Sequence, residues 1–179
     1  MVGVLFIGIA VLVLLAMALF LYQRLQSGIS FPDTIAEYQH NDSQIADAAT
    51  EFMEKTIKSM GVEAKAAIYG DTAAPAFVVI AFEADGSALP GGGLEGFASG
   101  FAGSGAGSVD TGRAVTDTRD GVSYRCAPII LDRPTAIGDP RAVCLWTDED
   151  TTGVVIDAVS ADTTAAMNLA ATVHDGVAG

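Results

Sequence analysis

From Met1 to Tyr22 no charged side chain interrupts the chain, and apolar residues follow one another without the gaps of an amphipathic helix. At about 1.5 Å per helical residue the run reaches roughly 33 Å, enough to cross a bilayer. A transmembrane helix over residues 1–23 is the first expectation. A cleavable signal needs a basic n-region and a shorter apolar core, and Ala16-Met17-Ala18, which has small-x-small chemistry, lies inside the run. Gly3 and Gly8 do not have the GxxxG spacing that lets two helices touch.

Residues 24–40 read as a juxtamembrane connector: Ser27-Gly28 breaks the helix and Phe31-Pro32-Asp33-Thr34 starts a turn or extended segment. The pattern then turns helical. Asn41-Asp42-Ser43 offers capping oxygens, and Ile45, Ala48, Ala49, Phe52, Met53, Ile57 and Met60 recur at spacings of three and four, predicting a core-facing helix that Gly61 ends. Period-two and continuous apolar runs follow. Ala64–Tyr69 and Ala76–Phe82 are predicted strands of a hairpin, and the unbroken Phe77–Phe82 suggests a central strand covered on both faces.

Residues 85–112 are glycine-rich. Leu94, Phe97 and Phe101 predict a short helix in a flexible cover. Strands are then predicted over Arg113–Thr118, Gly121–Ala127 (extending toward Leu131), Ala142–Thr147 and Gly153–Val159, with an Asp120-Gly121 turn between the first two. Asp162 caps a last helix with Ala166, Leu169, Ala170 and Val173 inward, ended by Gly176. Strands in runs with helices at the ends predict an α+β domain over residues 41–176, an antiparallel sheet with helices packed on one face.

Composition changes the picture in two ways. Acidic residues number 22 against 9 basic, a net charge of −13. Such a surface repels phosphate backbones, so nucleic acid is excluded as a partner. Two cysteines, Cys126 and Cys144, flank a short loop in a chain with a membrane-targeting leader, and they read as one disulfide in an oxidising compartment. Two reduced core cysteines in a cytosolic domain are the alternative. Arg24, the nearest basic residue, would by the positive-inside rule keep the domain in the cytoplasm. The cysteine pair outweighs one charge, and the C-terminal domain is expected to be extracytoplasmic, on a single-pass cell-membrane protein.

Candidate chemistry is sparse. Gly103-Ser104-Gly105-Ala106-Gly107-Ser108 lacks the spacing and context of a phosphate loop. Asp148-Glu149-Asp150 lacks the alternation of a calcium loop and reads as a solvated turn. His40 and His174 accompany no nucleophile elbow or metal-ligand spacing, and His174 suits the negative end of its helix. No catalytic residue, metal or cofactor is assigned. Trp146 is read as core packing beside the cysteines; if exposed, it would form a partner contact with Asp148, Glu149 and Asp150.

Phe31-Pro32-Asp33-Thr34, Ala67-Ile68-Tyr69-Gly70-Asp71 and Cys144-Leu145-Trp146-Thr147-Asp148…Thr152-Gly153-Val154-Val155 together resemble small membrane-anchored extracytoplasmic domains of unknown function from actinobacteria. That resemblance implies a Cys-x-Trp-x-Asp strand whose cysteine pairs with an upstream one, here Cys126. It implies location and fold but no activity. The expected role is a non-enzymatic accessory or interaction domain, held to the membrane by residues 1–23 and joined to a protein partner in a larger assembly. The rival is an envelope enzyme or small-ligand receptor with its site under residues 91–107.

Overall fold

The computed structural model describes residues 28–59, 61–82, 93–132 and 140–177. The span expected over 1–23 lies outside them, as does Met60. Among the described residues no helix is long and apolar enough to cross a membrane.

Among the described residues nine strands and three α-helices follow in the order β1 (Thr34–Ile35), β2 (Tyr38–Gln39), α1 (Gln44–Ser59), β3 (Ala64–Asp71), β4 (Ala74–Phe82), α2 (Leu94–Gly103), β5 (Gly107–Val109), β6 (Val115–Arg119), β7 (Val122–Leu131), β8 (Ala142–Thr147), β9 (Thr152–Asp157) and α3 (Thr163–Val177). The main sheet runs β3-β4-β9-β8-β7, with β6 and β5 end to end along the outer edge of β7, and its pairings are antiparallel. An α+β domain with an antiparallel sheet is thus the architecture. β9 enters between β4 and β8, so the β3–β4 hairpin joins the β6–β9 meander through β9.

The helices do not share one face of the sheet, which corrects the expected packing. Side chains alternate across a strand. Phe77, Val79 and Ala81 of β4 join Cys126, Cys144, Trp146 and Val155 under Ala166, Met167, Ala170 and Val173 of α3. Val78 and Phe82 join Val143, Leu145, Val154 and Ile156 under Ala46 of α1 and Leu94 of α2, with Met53, Ile57, Phe97 and Phe101 packed alongside. The physical reason is the continuous apolar run of the central strands, since side chains on both faces must leave water.

α1 carries a second correction. Ser43 caps it as the sequence suggests, accepting a hydrogen bond from the Ala46 amide at 3.2 Å. Yet Ile45 and Phe52 are each 71% exposed. Two apolar stripes run one position apart along the helix, and the sheet receives the one through Ala46, Ala49, Met53 and Ile57. At the start of α1 the small Ala46 lets the helix axis come close to β3, which the bulkier Ile45 would prevent.

The segment before α1 folds back onto the α3 face. Ile29 and Ile35 are buried there, with Phe31 and Tyr38 packed against the same core. Tyr69 donates its phenolic proton to the Pro32 carbonyl at 2.7 Å, and burial together with the nearby Asp33 charge pushes its pKa up to about 12. Gly176 does not end α3, which continues to Val177; it lies against Pro32 and Ile35. At the outer edge of β3, Glu54 of α1 accepts from the Ala66 amide at 2.9 Å, and the Asn41 amide donates to the Ile68 carbonyl. Such cover blunts an edge that would otherwise invite strand addition.

Candidate functional site

Cys126 of β7 and Cys144 of β8 are directly opposed in the register, with Cα atoms 4.0 Å apart, and their sulfurs are bonded. Both are fully buried beneath α3. Two cysteines placed two residues in from matching points on neighbouring strands must meet when the strands pair; the bridge is a product of register.

Trp146 is also fully buried. Its indole lies over Gly153, its opposite number on β9. The tryptophan therefore presents no surface to a partner, which removes it from the contact that an exposed ring would have made. The carboxylate run after it divides. Asp148 is partly buried and internally committed, whereas Glu149 and Asp150 are exposed in the turn.

Asp148 does something the sequence did not suggest. One carboxylate oxygen accepts from the backbone amides of Asp150 and Thr151 at 2.8 and 2.6 Å. The other accepts from the Thr151 hydroxyl at 2.8 Å and lies 2.6 Å from Nε2 of His174. His174 is buried between the rings of Tyr124 and Trp146, both met edge to face. The pair pins the last turns of α3 to the β8–β9 turn, a larger task than complementing the helix dipole. Thr151 bonds to Asp148 and not to the imidazole, so no activated hydroxyl is lined up on the histidine. The available signal was His174 at the edge of the Ala170–Val173 face, but its partner depends on long-range register.

Partial burial tends to raise the Asp148 carboxyl, but hydrogen bonds from His174, the two amides and the Thr151 hydroxyl outweigh it and hold it below the usual aspartate value. A carboxyl depressed in the folded state adds stability above its unfolded pKa of about 3.9 and loses it as the pH falls through the folded value. Asp148→Asn is therefore expected to lower the urea midpoint most at pH 7. The difference from wild type should shrink as the pH is taken below about 4. Parallel titrations at both pH values check this; a constant gap would show that the carboxylate charge contributes nothing.

The opposite face of the sheet carries an apolar groove of about 430 Å³ between α1 and α2. Its floor is Ile80 and Phe82 of β4, Val154 of β9 and Leu145 of β8. Ile57 forms the α1 wall. The other wall is α2 with the Gly93 before it; Phe97 and Phe101 stack there with centroids 6.1 Å apart, and Gly93, Gly96 and Gly100 leave the backbone bare. An ion pair from Arg125 of β7 to Glu95, with a hydrogen bond of 2.8 Å, fixes α2 against the sheet. Ser104 supplies a hydroxyl, and among the described residues no charged side chain lines the groove. Among the described residues no cluster of three metal-ligating side chains occurs.

No known protein family, curated protein or solved structure matches this chain.

The groove involves residues from the glycine-rich segment, which was expected to form a cover. Leu94–Gly103 is helical, as the spacing of Leu94, Phe97 and Phe101 predicts. Residues 107–109 add a short strand on β7 that the glycine content had hidden. A Cβ at Gly107 would strike the β7 backbone, so glycine there permits the strand to close up.

Proposed function

We propose that this chain is a single-pass, membrane-anchored extracytoplasmic binding domain without enzymatic activity, of the type its actinobacterial resemblance implies. The observation that carries the reading is the Cys126–Cys144 bridge, fully buried in the sheet. A disulfide in a domain core suits an oxidising compartment, and the apolar leader supplies the route to one. The His174–Asp148 pair holds α3 to the β8–β9 turn.

Protease treatment of intact spheroplasts tests the reading. The domain is expected to be degraded from outside, with Cys126 and Cys144 resisting thiol reagents until denatured and reduced. A domain protected in spheroplasts and degraded only after lysis would refute the outward orientation.

The groove between α1 and α2 favours a second reading within the same placement, a receptor for an apolar ligand. Its volume falls among small-ligand sites, roughly 300–1,000 Å³. Its position at residues 93–104 falls within the segment that the sequence marked for such a site.

A further inference from the structure

We propose that a second copy of this chain docks on the outer stripe of α1, the two helices antiparallel about a two-fold axis beside Phe52. The inference goes beyond the anchored reading and does not depend on it.

The outer stripe is apolar and open. Ile45 and Phe52, two helical turns apart, are each 71% exposed, and no other large apolar side chain among the described residues exceeds 51%. Ala48 lies between them, and Lys55 and Ser59 continue the line, all exposed. Positions 45, 48, 52, 55 and 59 recur at spacings of three and four, the seam along which one helix packs on another. The inner stripe, through Ala46, Met53 and Ile57, is already committed to the sheet.

The charges beside the stripe select the occupant. Asp47, Glu51, Lys55 and Lys58 follow one another at spacings of four, four and three, so they line one flank of the helix. All four are exposed. The flank is acidic toward the N-terminus and basic toward the C-terminus. A two-fold axis perpendicular to two antiparallel helices sets their flanks side by side and reversed. With Phe52 against its own counterpart, Glu51 then comes beside Lys55 of the second copy and Asp47 beside its Lys58. Ala48 and Thr56 oppose each other across the axis, and the small alanine leaves space for the phenyl rings. A parallel arrangement would set acid against acid.

The ion pairs within one copy prepare this contact. Lys55 pairs with Glu51 at 2.6 Å, and two such pairs laid antiparallel close into a ring of four alternating charges. Lys58 pairs with Glu63 at 3.1 Å and stays 71% exposed, open to a further carboxylate. The rest of the molecule supports a self-match here. Two copies of a chain of net −13 repel each other, and its three lysines, Lys55, Lys58 and Lys65, all lie on α1 and the neighbouring β3. This is the side on which a second acidic copy meets cations.

The full chain is measured by sedimentation equilibrium in density-matched detergent over a concentration series. Wild type is expected to self-associate into a dimer. Phe52→Asp changes an exposed position and should weaken association by about a hundredfold, since each dimer carries the change twice. Circular dichroism confirms that the variant keeps its fold. Two charge variants test the pairing. Asp47→Lys with Glu51→Lys makes the flank wholly basic, and Lys55→Glu with Lys58→Glu makes it wholly acidic. Each should be monomeric alone, and an equal mixture of the two should dimerise. A monomeric wild type overturns the proposal. So does a dimer that survives Phe52→Asp, which puts the contact in the leader or on another surface. Charge variants that dimerise alone, or a mixture that stays monomeric, overturn it as well.

Discussion

A valine at position 153 is expected to leave the domain unfolded. Gly153 and Trp146 are cross-strand partners, and a Cβ on the glycine would come within 2.0 Å of the indole Cζ2, a collision with the ring. The ring cannot slide aside cheaply, because it is fully buried under α3 and its Nε1 is within 3.4 Å of the Thr151 hydroxyl. Overpacking alone costs about 1–3 kcal/mol. Expelling the indole forfeits about 3–5 kcal/mol of core packing, a large part of the roughly 5–15 kcal/mol that holds a typical domain together. Trp146 is the chain's one tryptophan, so its emission reports the outcome directly. Wild type should emit as a buried indole and Gly153→Val as a solvated one. In a Trp146→Ala background, where the collision is gone, Gly153→Val should cost much less, as read by circular dichroism in urea. Equal cost in both backgrounds would mean that the glycine serves the backbone and not the ring.

Removing the disulfide should have the next largest effect. The bridge closes a loop of 18 positions, worth about 3 kcal/mol in the chain-entropy account. The double variant Cys126→Ala, Cys144→Ala is expected to retain its fold, because alanine is tolerated in a sheet interior at the loss of two sulfurs' contacts. Its urea midpoint should drop by about 1–3 M, given m-values of about 1–3 kcal/mol per molar for small domains. Wild type measured in reductant should resist reduction until partly unfolded, since both sulfurs are shielded. An unchanged midpoint in the double variant would reduce the bridge to a marker of compartment.

Much of this architecture is written in local patterns. The runs Ala64–Tyr69, Phe77–Phe82, Ala142–Thr147 and Val154–Ile156 are strands, and the Asp120-Gly121 turn joins β6 to β7 with both residues at positive φ. Ser43 and Asp162 cap the helices whose starts they mark; the Asp162 carboxylate accepts from the Ala165 amide at 2.8 Å. What local pattern could not decide was which of two helix stripes would face the sheet, because the choice between Ile45–Phe52 and Ala46–Met53 is made by fit against strands that follow. The continuous apolar strands already implied cover on both faces, a consequence stronger than the end placement of the helices. The candidate site divides in the same way. Phe97 and Phe101 were visible as a helix face, but the groove exists because β4, β8 and β9 bring Phe82, Leu145 and Val154 together beneath it. His174 and Asp148 lie on opposite sides of a strand and a loop, and only the packing of α3 unites them.

The place of β9 between β4 and β8 has a consequence for how the chain is made. Phe77 pairs with Asp157, and Phe82 with Thr152, so the seam joining the two halves of the sheet closes only when nearly the whole domain is available. Hairpins β3–β4 and β6–β7 can form as soon as they emerge, but each waits with an apolar edge unpaired. Were the domain exported as an extended thread, as the anchored reading proposes, that order would keep the sheet from locking before its last strand had passed through.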